Sequence, residues 1–441
     1  MRAILVGITN KNDFFDIDYS LHELKKLAET LDYQIVYNIR QSKDKPDPAT
    51  FIGSGKVYEL SKLISEYKCE IVIFDDVLTP AQNRNLEEIL KIKVIDRTYL
   101  ILEIFNKRAK TKEAKYEIAL ARYKYLLPRI GLMREEESRS GGTSGSMSAR
   151  GSGETQQELD RRHLLEAINK LEVELKNIRR QKLNQINRRK KNSIPIVSLV
   201  GYTNAGKSST MNSLIDYLNV GDAKKVLEKD CLFATLDTYS RHLKYNNLNF
   251  ILTDTIGFVS KLPTTLINSF YFTLEEVRNS DLIVYVVDIS SNYALEEFIV
   301  AYKVLGAIGA SQIPFIVAFT KIDKLEERRT MLPTEILNFI SKNINSDIKY
   351  KEYNFTFIDN KSRMGINHLI EAIYKALSQN FLHLYLKVPY TDGKVINVIE
   401  EHAQIVAKTY LDNEIFYDIY TDELYYPIYL KYEEPNKLKV A

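Results

Sequence analysis

Apolar positions recur along this chain with more than one period, and the changes of period divide it. Over residues 1–110, short apolar runs at 3–8, 34–39, 70–74 and 93–95 alternate with stretches of helical spacing at 20–31, 57–67 and 80–90. That order predicts an N-terminal α/β domain built on a parallel sheet. From Thr111 the spacing becomes purely helical: Tyr116, Leu120, Tyr123 and Leu127 form one stripe, which Pro128 ends. Leu164, Ile168, Leu171, Leu175 and Ile178 repeat the stripe, and Thr155 with Glu158 makes a capping box ahead of it. Two matching stripes joined by a loop predict a long antiparallel helical hairpin over 111–193. Strand-like runs return at 194–200, 249–253, 282–287 and 314–319, within a second α/β domain over 194–379. The remainder, 380–441, is rich in Tyr, Ile and Val with Asp392-Gly393 as a turn signal, and predicts a small C-terminal α+β domain. Its aromatic residues are expected to build a small core; stacking on bases is the alternative use.

The candidate chemistry lies in the second α/β domain. Gly201, Tyr202, Thr203, Asn204, Ala205, Gly206, Lys207 and Ser208 spell a phosphate-binding loop, with an apolar run before it and helix-compatible Met211, Leu214, Ile215 and Leu218 after it. A strand, a glycine turn and a helix N-terminus aim backbone N–H groups at an anion. Lys207 is expected to reach the β and γ phosphates and the Ser208 hydroxyl to bind Mg2+. The loop alone does not separate ATPase, kinase and GTPase; the order of the motifs downstream separates them. Asp254, Thr255, Ile256 and Gly257 close the next strand, with Asp254 placed to hold Mg2+ through water and the Gly257 N–H to meet the γ phosphate. Thr320, Lys321, Ile322 and Asp323 close a later one. A carboxylate at Asp323 accepts from the N1–H and the N2 amine of guanine, a donor pair adenine lacks, and Lys321 is expected along the base plane. In this order the motifs define a Ras-like P-loop GTPase domain.

Between loop and Asp254, a switch segment should offer a threonine to Mg2+ and the γ phosphate. Phe233, Ala234, Thr235, Leu236 and Asp237 form the candidate, with Thr235 chosen over Thr238. The expected catalytic set is therefore Lys207, Thr235 and Gly257, and the metal set Ser208 and Thr235. Phe258 stands where Ras-like enzymes carry a glutamine that orients the attacking water, which predicts slow intrinsic hydrolysis accelerated by a partner. Asn204 either places a K+ beside the phosphates or braces the turn.

Composition adds limits rather than function. At 441 residues the chain is long enough for several cores, and its net charge of +3 makes any basic character local. Eight cations and no acid fall in 176–191, beside a glycine- and serine-rich tip at 138–153 carrying Arg139 and Arg150. That pairing fits a nucleic-acid phosphate surface better than a solvated face. Cys69 and Cys231 have no disulfide or metal spacing. No apolar run approaches the roughly 18 residues of a membrane span. A cytoplasmic monomer is expected.

At this point the residues resemble a known family, the HflX GTPases, ribosome-associated relatives of translation-factor GTPases. Besides the phosphate loop, the resemblance rests on Phe51-Ile-Gly-Ser-Gly-Lys56, Asp96-Arg-Thr98, Ile104-Phe-Asn-Lys-Arg-Ala-Lys-Thr111, Tyr125-Leu-Leu-Pro-Arg129, Gly151-Ser-Gly-Glu-Thr-Gln156 with Asp160-Arg-Arg162, Phe233-Ala-Thr-Leu-Asp237, and Asp254-Thr-Ile-Gly-Phe258 with Thr273-Leu-Glu-Glu276. It implies a GTP/GDP- and Mg2+-dependent GTPase that binds the large ribosomal subunit and ribosomal RNA, and splits stalled or stress-arrested ribosomes. Hydrolysis would govern its release. A GTP-gated RNA-binding or large-subunit assembly factor is the alternative. The resemblance also links the N-terminal domain to ATP, although 51–56 lacks full phosphate-loop spacing and reads as a structural turn. Two departures stand out. Thr320 replaces the usual Asn, with the expected loss of an amide that braces the loop, and the base clamp aligns with Asp359, Asn360 and Lys361.

Overall fold

The computed structural model describes residues 1–9, 14–130, 156–191, 194–218, 239–261, 276–324, 332–343, 355–378 and 381–434. The candidate switch residues Phe233 to Asp237, the glycine-rich tip and Thr155 of the capping box lie outside the described residues. The chain forms two compact units. One comprises 1–184, 229–237 and 258–273; the other comprises 185–228, 238–257 and 274–441.

The first unit is built on four parallel strands, β1 (Arg2–Thr9), β2 (Gln34–Ser42), β3 (Ile71–Phe74) and β4 (Lys93–Asp96), in the order β2-β1-β3-β4. The interior of β1 and all of β3 are buried, the pattern of strands covered on both faces. The covering helices are α1 (Ile17–Glu29), α2 (Ser54–Tyr67), α3 (Pro80–Leu90) and α4 (Arg97–Arg108). Local chemistry sets their starts. Thr79 and Gln82 form a capping box with Pro80 at the first turn of α3, and the Asp96 side chain accepts from Tyr99 N–H to open α4. Strand order reverses between β1 and β3, and the crevice beyond the carboxyl ends of such strands is where doubly wound sheets receive ligands. Two long helices follow, α5 (Lys112–Leu126), capped by Thr111, and α6 (Gln156–Lys191). A Lys124–Glu172 ion pair at 2.7 Å joins them, and Ile118, Ala121, Ile168 and Leu175 are buried.

The second unit carries a six-stranded sheet in the order β10-β9-β8-β5-β7-β6. Its strands are β5 (Ile196–Gly201), β6 (Tyr239–Tyr245), β7 (Leu248–Asp254), β8 (Leu282–Asp288), β9 (Phe315–Thr320) and β10 (Phe355–Phe357), and only β6 runs antiparallel to its neighbour. α7 (Lys207–Tyr217) and α10 (Ile366–Leu377) share one core with it, through Met211, Leu214, Leu369 and Ile373; α8 (Ala294–Ala307) and α9 (Leu332–Asn343) complete the helices. The first strand in sequence lies centrally, so the chain leaves β5 at the point where strand order reverses. Further along, β11 (Leu382–Pro389), β12 (Gln404–Tyr410) and β13 (Glu414–Thr421) form an antiparallel sheet in the order β11-β13-β12, with α11 (Gly393–His402). Tyr417, Tyr429 and Tyr432 pack with Leu384, Leu386 and Ile419 in its core, so these tyrosines are packing residues.

Candidate nucleotide site

Each segment of the site sits at the carboxyl end of a parallel strand or in the loop beyond it. Leaving β5, Gly201 has φ +155° and a Cβ there would strike the carbonyl oxygen of Val286 on β8, so only glycine turns at this point. Asn204 at φ +62° and Gly206 at φ +96° complete the reversal, and Asn is among the few side chains that tolerate that region. Lys207 and Ser208 are thereby placed in the first turn of α7.

The electrostatics of the loop are unbalanced. Lys207 is 7% exposed, and its ammonium donates to the carbonyls of Gly201 at 3.2 Å and Tyr202 at 2.8 Å. Among the described residues no carboxylate reaches ion-pair distance of it. Burial pushes its pKa down to about 8, opposed by the field of Asp254. Among the described residues this buried ammonium is held by two carbonyls with no carboxylate paired to it, and an anionic ligand would supply the countercharge.

Beside it, the Ser208 hydroxyl donates to Asp254 Oδ2 at 2.7 Å. Two hard oxygen donors, one on the first turn of a helix and one at the end of β7, suit Mg2+, and the residues fit that ion. The Thr255 hydroxyl donates to Leu199 O at 2.7 Å and fixes the turn after β7, where Ile256 is buried. At Gly257 a Cβ would lie 2.8 Å from Thr203 Cα and 2.9 Å from Lys207 Nζ, so its backbone is pressed against the loop.

The opposite side gathers the residues expected to read the base. Thr320 was expected to lose a brace by replacing Asn; instead its hydroxyl donates to Ala205 O at 2.7 Å and Val287 O at 3.2 Å. A short hydroxyl serves because β9 brings Thr320 directly against the loop, where it is fully buried. Lys321 Nζ donates to Asn204 O at 2.9 Å and pairs with Asp288 Oδ2 at 2.6 Å. Asp323 follows Ile322 on a single 3-10 turn, with Lys361 Nζ 3.5 Å from its Oδ2. Asn360 Nδ2 donates to Thr210 Oγ1 at 3.1 Å, in the first turn of α7. Asp359 accepts from the N–H groups of Lys361 and Ser362 at 3.0 and 3.1 Å and from the Ser362 hydroxyl. Burial raises the Asp359 carboxyl, but these bonds outweigh it and hold it below the usual carboxylate range.

The fold thus brings 201–208, 254–257, 320–323 and 360–361 around one loop. Thr235 and its neighbours lie outside the described residues. Sequence reasoning missed Asp288, Thr210 and Asp359 as bracing residues. Asp288 had a signal, as an acid closing a buried parallel strand, and Asp359 stood in the segment aligned with the base clamp, its carboxylate bonds reaching Lys361 and Ser362; Thr210 meets Asn360, 150 positions away, and had none. The 51–56 loop bonds internally: Phe51 at φ +66° pairs with Asp47, Gly53 N–H donates to Gln41 Oε1 at 3.0 Å, and Lys56 pairs with Glu59 at 2.7 Å.

A phosphate loop after the central strand, an Asp-x-x-Gly turn beside it and a Lys-x-Asp turn across it are the parts of a P-loop GTPase. Three family profiles match the chain: "GTP-binding GTPase N-terminal" over 18–106, "GTP-binding GTPase Middle Region" over 108–189, and "50S ribosome-binding GTPase" over 196–321. The GTPase HflX of Caldanaerobacter subterraneus subspecies tengcongensis is 37% identical over 410 residues, 93% of this chain and 88% of that protein. The GTPase HflX of Escherichia coli is 33% identical over 418 residues, 94% of this chain and 91% of that protein. A GTP-binding protein from Sulfolobus solfataricus, solved in complex with GDP, is 24% identical with a TM-score of 0.44, covering 86% of this chain and 99% of that one. The chain belongs to the HflX family of GTPases, and is a GTP-hydrolysing enzyme with a ribosome-binding type of GTPase domain. Among the described residues no helix is long and apolar enough to cross a membrane.

Proposed function

We propose that this enzyme binds the large ribosomal subunit in its GTP form, splits stalled or stress-arrested ribosomes into subunits, and leaves on hydrolysis. Lys207 neutralises the β and γ phosphates, Ser208 and Thr235 ligate Mg2+, and Asp254 orders the ion's water. Gly257 offers its N–H to the γ phosphate, while Asp323 reads guanine N1–H and N2 with Lys321, Asn360 and Lys361 around the base. Mg2+, when bound, spreads the charge developing on the transferred phosphoryl group. The observation that carries nucleotide binding is the buried Lys207 ammonium, whose hydrogen-bond partners among the described residues are carbonyls.

The ribosomal reading is supported by the "50S ribosome-binding GTPase" profile over the site and by the eight cations of 176–191. Phe258 is buried and apolar and cannot polarise water, so the ribosome is expected to complete the catalytic arrangement. Sedimentation of intact ribosomes with the enzyme and a nonhydrolysable GTP analogue tests this. Loss of the intact-ribosome peak, with the enzyme on the large subunit, is the expected result. Binding confined to immature large subunits would instead make it an assembly factor.

A further inference from the structure

Three hydroxyls around the phosphate loop are satisfied within the fold. Ser208 donates to Asp254 Oδ2 at 2.7 Å, Thr210 to Gly206 O at 2.9 Å, and Thr255 to Leu199 O at 2.7 Å. Thr203 differs from them. The residue is 7% exposed, its Oγ1 is out of reach of solvent, and among the described residues that oxygen has no hydrogen-bond partner. A buried hydroxyl without a partner carries the cost of its lost hydration, so its place in a loop built to meet an anion calls for a reason.

The surroundings of Thr203 say which part of a ligand it faces. A Cβ at Gly257 would lie 2.8 Å from both Thr203 Cα and Thr203 Cγ2, and 2.9 Å from Lys207 Nζ. Thr203, Lys207 and the Gly257 backbone therefore meet at one point, all within the second unit. Thr203 is β-branched, so with Cγ2 held against Gly257 the Oγ1 on the same Cβ is confined to that neighbourhood as well. In the proposed pose Lys207 spans the β and γ phosphates, whereas Gly257 meets the γ phosphate alone. The hydroxyl thus lies at the γ end of the loop, beside the space a γ-phosphoryl group opens between Gly257 and Lys207. A diphosphate stops short of it.

We propose that the Thr203 hydroxyl donates to a γ-phosphoryl oxygen of bound GTP, which makes Thr203 a residue that sets the preference for triphosphate over diphosphate. The bond is charge-assisted, an O–H donor meeting an anionic oxygen, and forms only with the γ phosphate present. With GDP the hydroxyl stays buried without that acceptor, so the side chain adds to the difference between the two affinities rather than to both. This rests on the assignment of Gly257 to the γ phosphate.

The test measures affinities of the full-length protein for fluorescent GDP and a fluorescent nonhydrolysable GTP analogue, with urea unfolding alongside, in wild type, Thr203→Val, Thr203→Ser and Gly257→Ala. Thr203→Val keeps the shape and deletes the hydroxyl. It is expected to lower analogue affinity relative to GDP by at least about fivefold. Its unfolding midpoint should be no lower than wild type, since the hydroxyl removed has no partner among the described residues. Thr203→Ser keeps the hydroxyl and should keep the ratio. A smaller change in Thr203→Val overturns the proposal. So does an equal loss in Thr203→Ser, which would assign the effect to the methyl group, or a lowered midpoint in Thr203→Val, which would make the hydroxyl a brace of the loop. Gly257→Ala separates this contact from the reading beneath it. With both Gly257→Ala and Thr203→Val at the wild-type ratio, the γ-phosphate assignment fails and the contact with it; with the ratio lowered in Gly257→Ala alone, only the Thr203 contact fails.

Discussion

The hydroxyl of Thr320 donates to the carbonyl of Ala205 at 2.7 Å, tying the end of the base-reading strand to the middle of the phosphate loop. Both groups are buried, so removing the donor leaves a buried acceptor short of this hydrogen bond. Thr320→Val keeps the shape and deletes the bond, and is expected to cost about 1–3 kcal/mol of stability. It should also weaken GDP binding, since the loop and base turns lose their common brace. Urea unfolding and GDP titration check both effects; a variant as stable as wild type would show the bond to be dispensable.

Asp323 is expected to carry guanine selectivity through two charge-assisted hydrogen bonds, each worth about 1.5–3 kcal/mol. Asp323→Ala should therefore lower GDP affinity by at least about 10²-fold. Inosine diphosphate, lacking the N2 amine, offers only one of the two donors. Wild type should prefer GDP over IDP by about tenfold or more, and Asp323→Ala should bind the two alike. A preference that survives the substitution would move base recognition to another residue.

Much of this site was legible because each motif closes a strand that the apolar pattern already announces, from Val200 before the loop to Phe319 before Thr320. The N-terminal parallel sheet was legible for the same reason, as strand and helix periods alternate. Contacts between residues far apart in sequence were not: nothing in the order of residues joins Arg97 to Ser260, 163 positions away, or Lys321 to Asp288. Thr320 was misread as the loss of a brace because the distance from β9 to the loop, not the residue type, decides whether a hydroxyl is long enough.

The cations of 176–191 give the ribosomal partner a quantitative signature. Phosphate contacts release counterions, so affinity for the large subunit should fall linearly in a plot of log K against log salt. Replacing Arg188, Arg189, Lys190 and Lys191 by Gln should weaken binding and reduce the slope by up to about 3.6, at roughly 0.7–0.9 per lost contact. Binding with an unchanged slope would mean that this run faces solvent on the ribosome.

Lys207 supplies a pH signature belonging to the nucleotide site alone. Its pKa in the nucleotide-free fold is pushed down to about 8 from an ordinary 10.5, because burial disfavours the ammonium. A base with a depressed pKa is harder to charge in the fold than in the unfolded chain. The fold therefore bears about 3 kcal/mol of penalty below pH 8, lost progressively as pH rises toward 10.5. Bound phosphates restore the countercharge and return the pKa upward, so nucleotide binding above pH 8 must take up a proton. At about pH 8.5 the uptake should be about three-quarters of a proton per GDP, read from calorimetric enthalpies in buffers of different ionisation heat. Lys207→Met should bind weakly and take up no proton, which separates the lysine from any titration of the base. Wild-type binding at that pH without proton uptake would mean that Lys207 stays charged without its ligand, and would remove the argument from unmet charge.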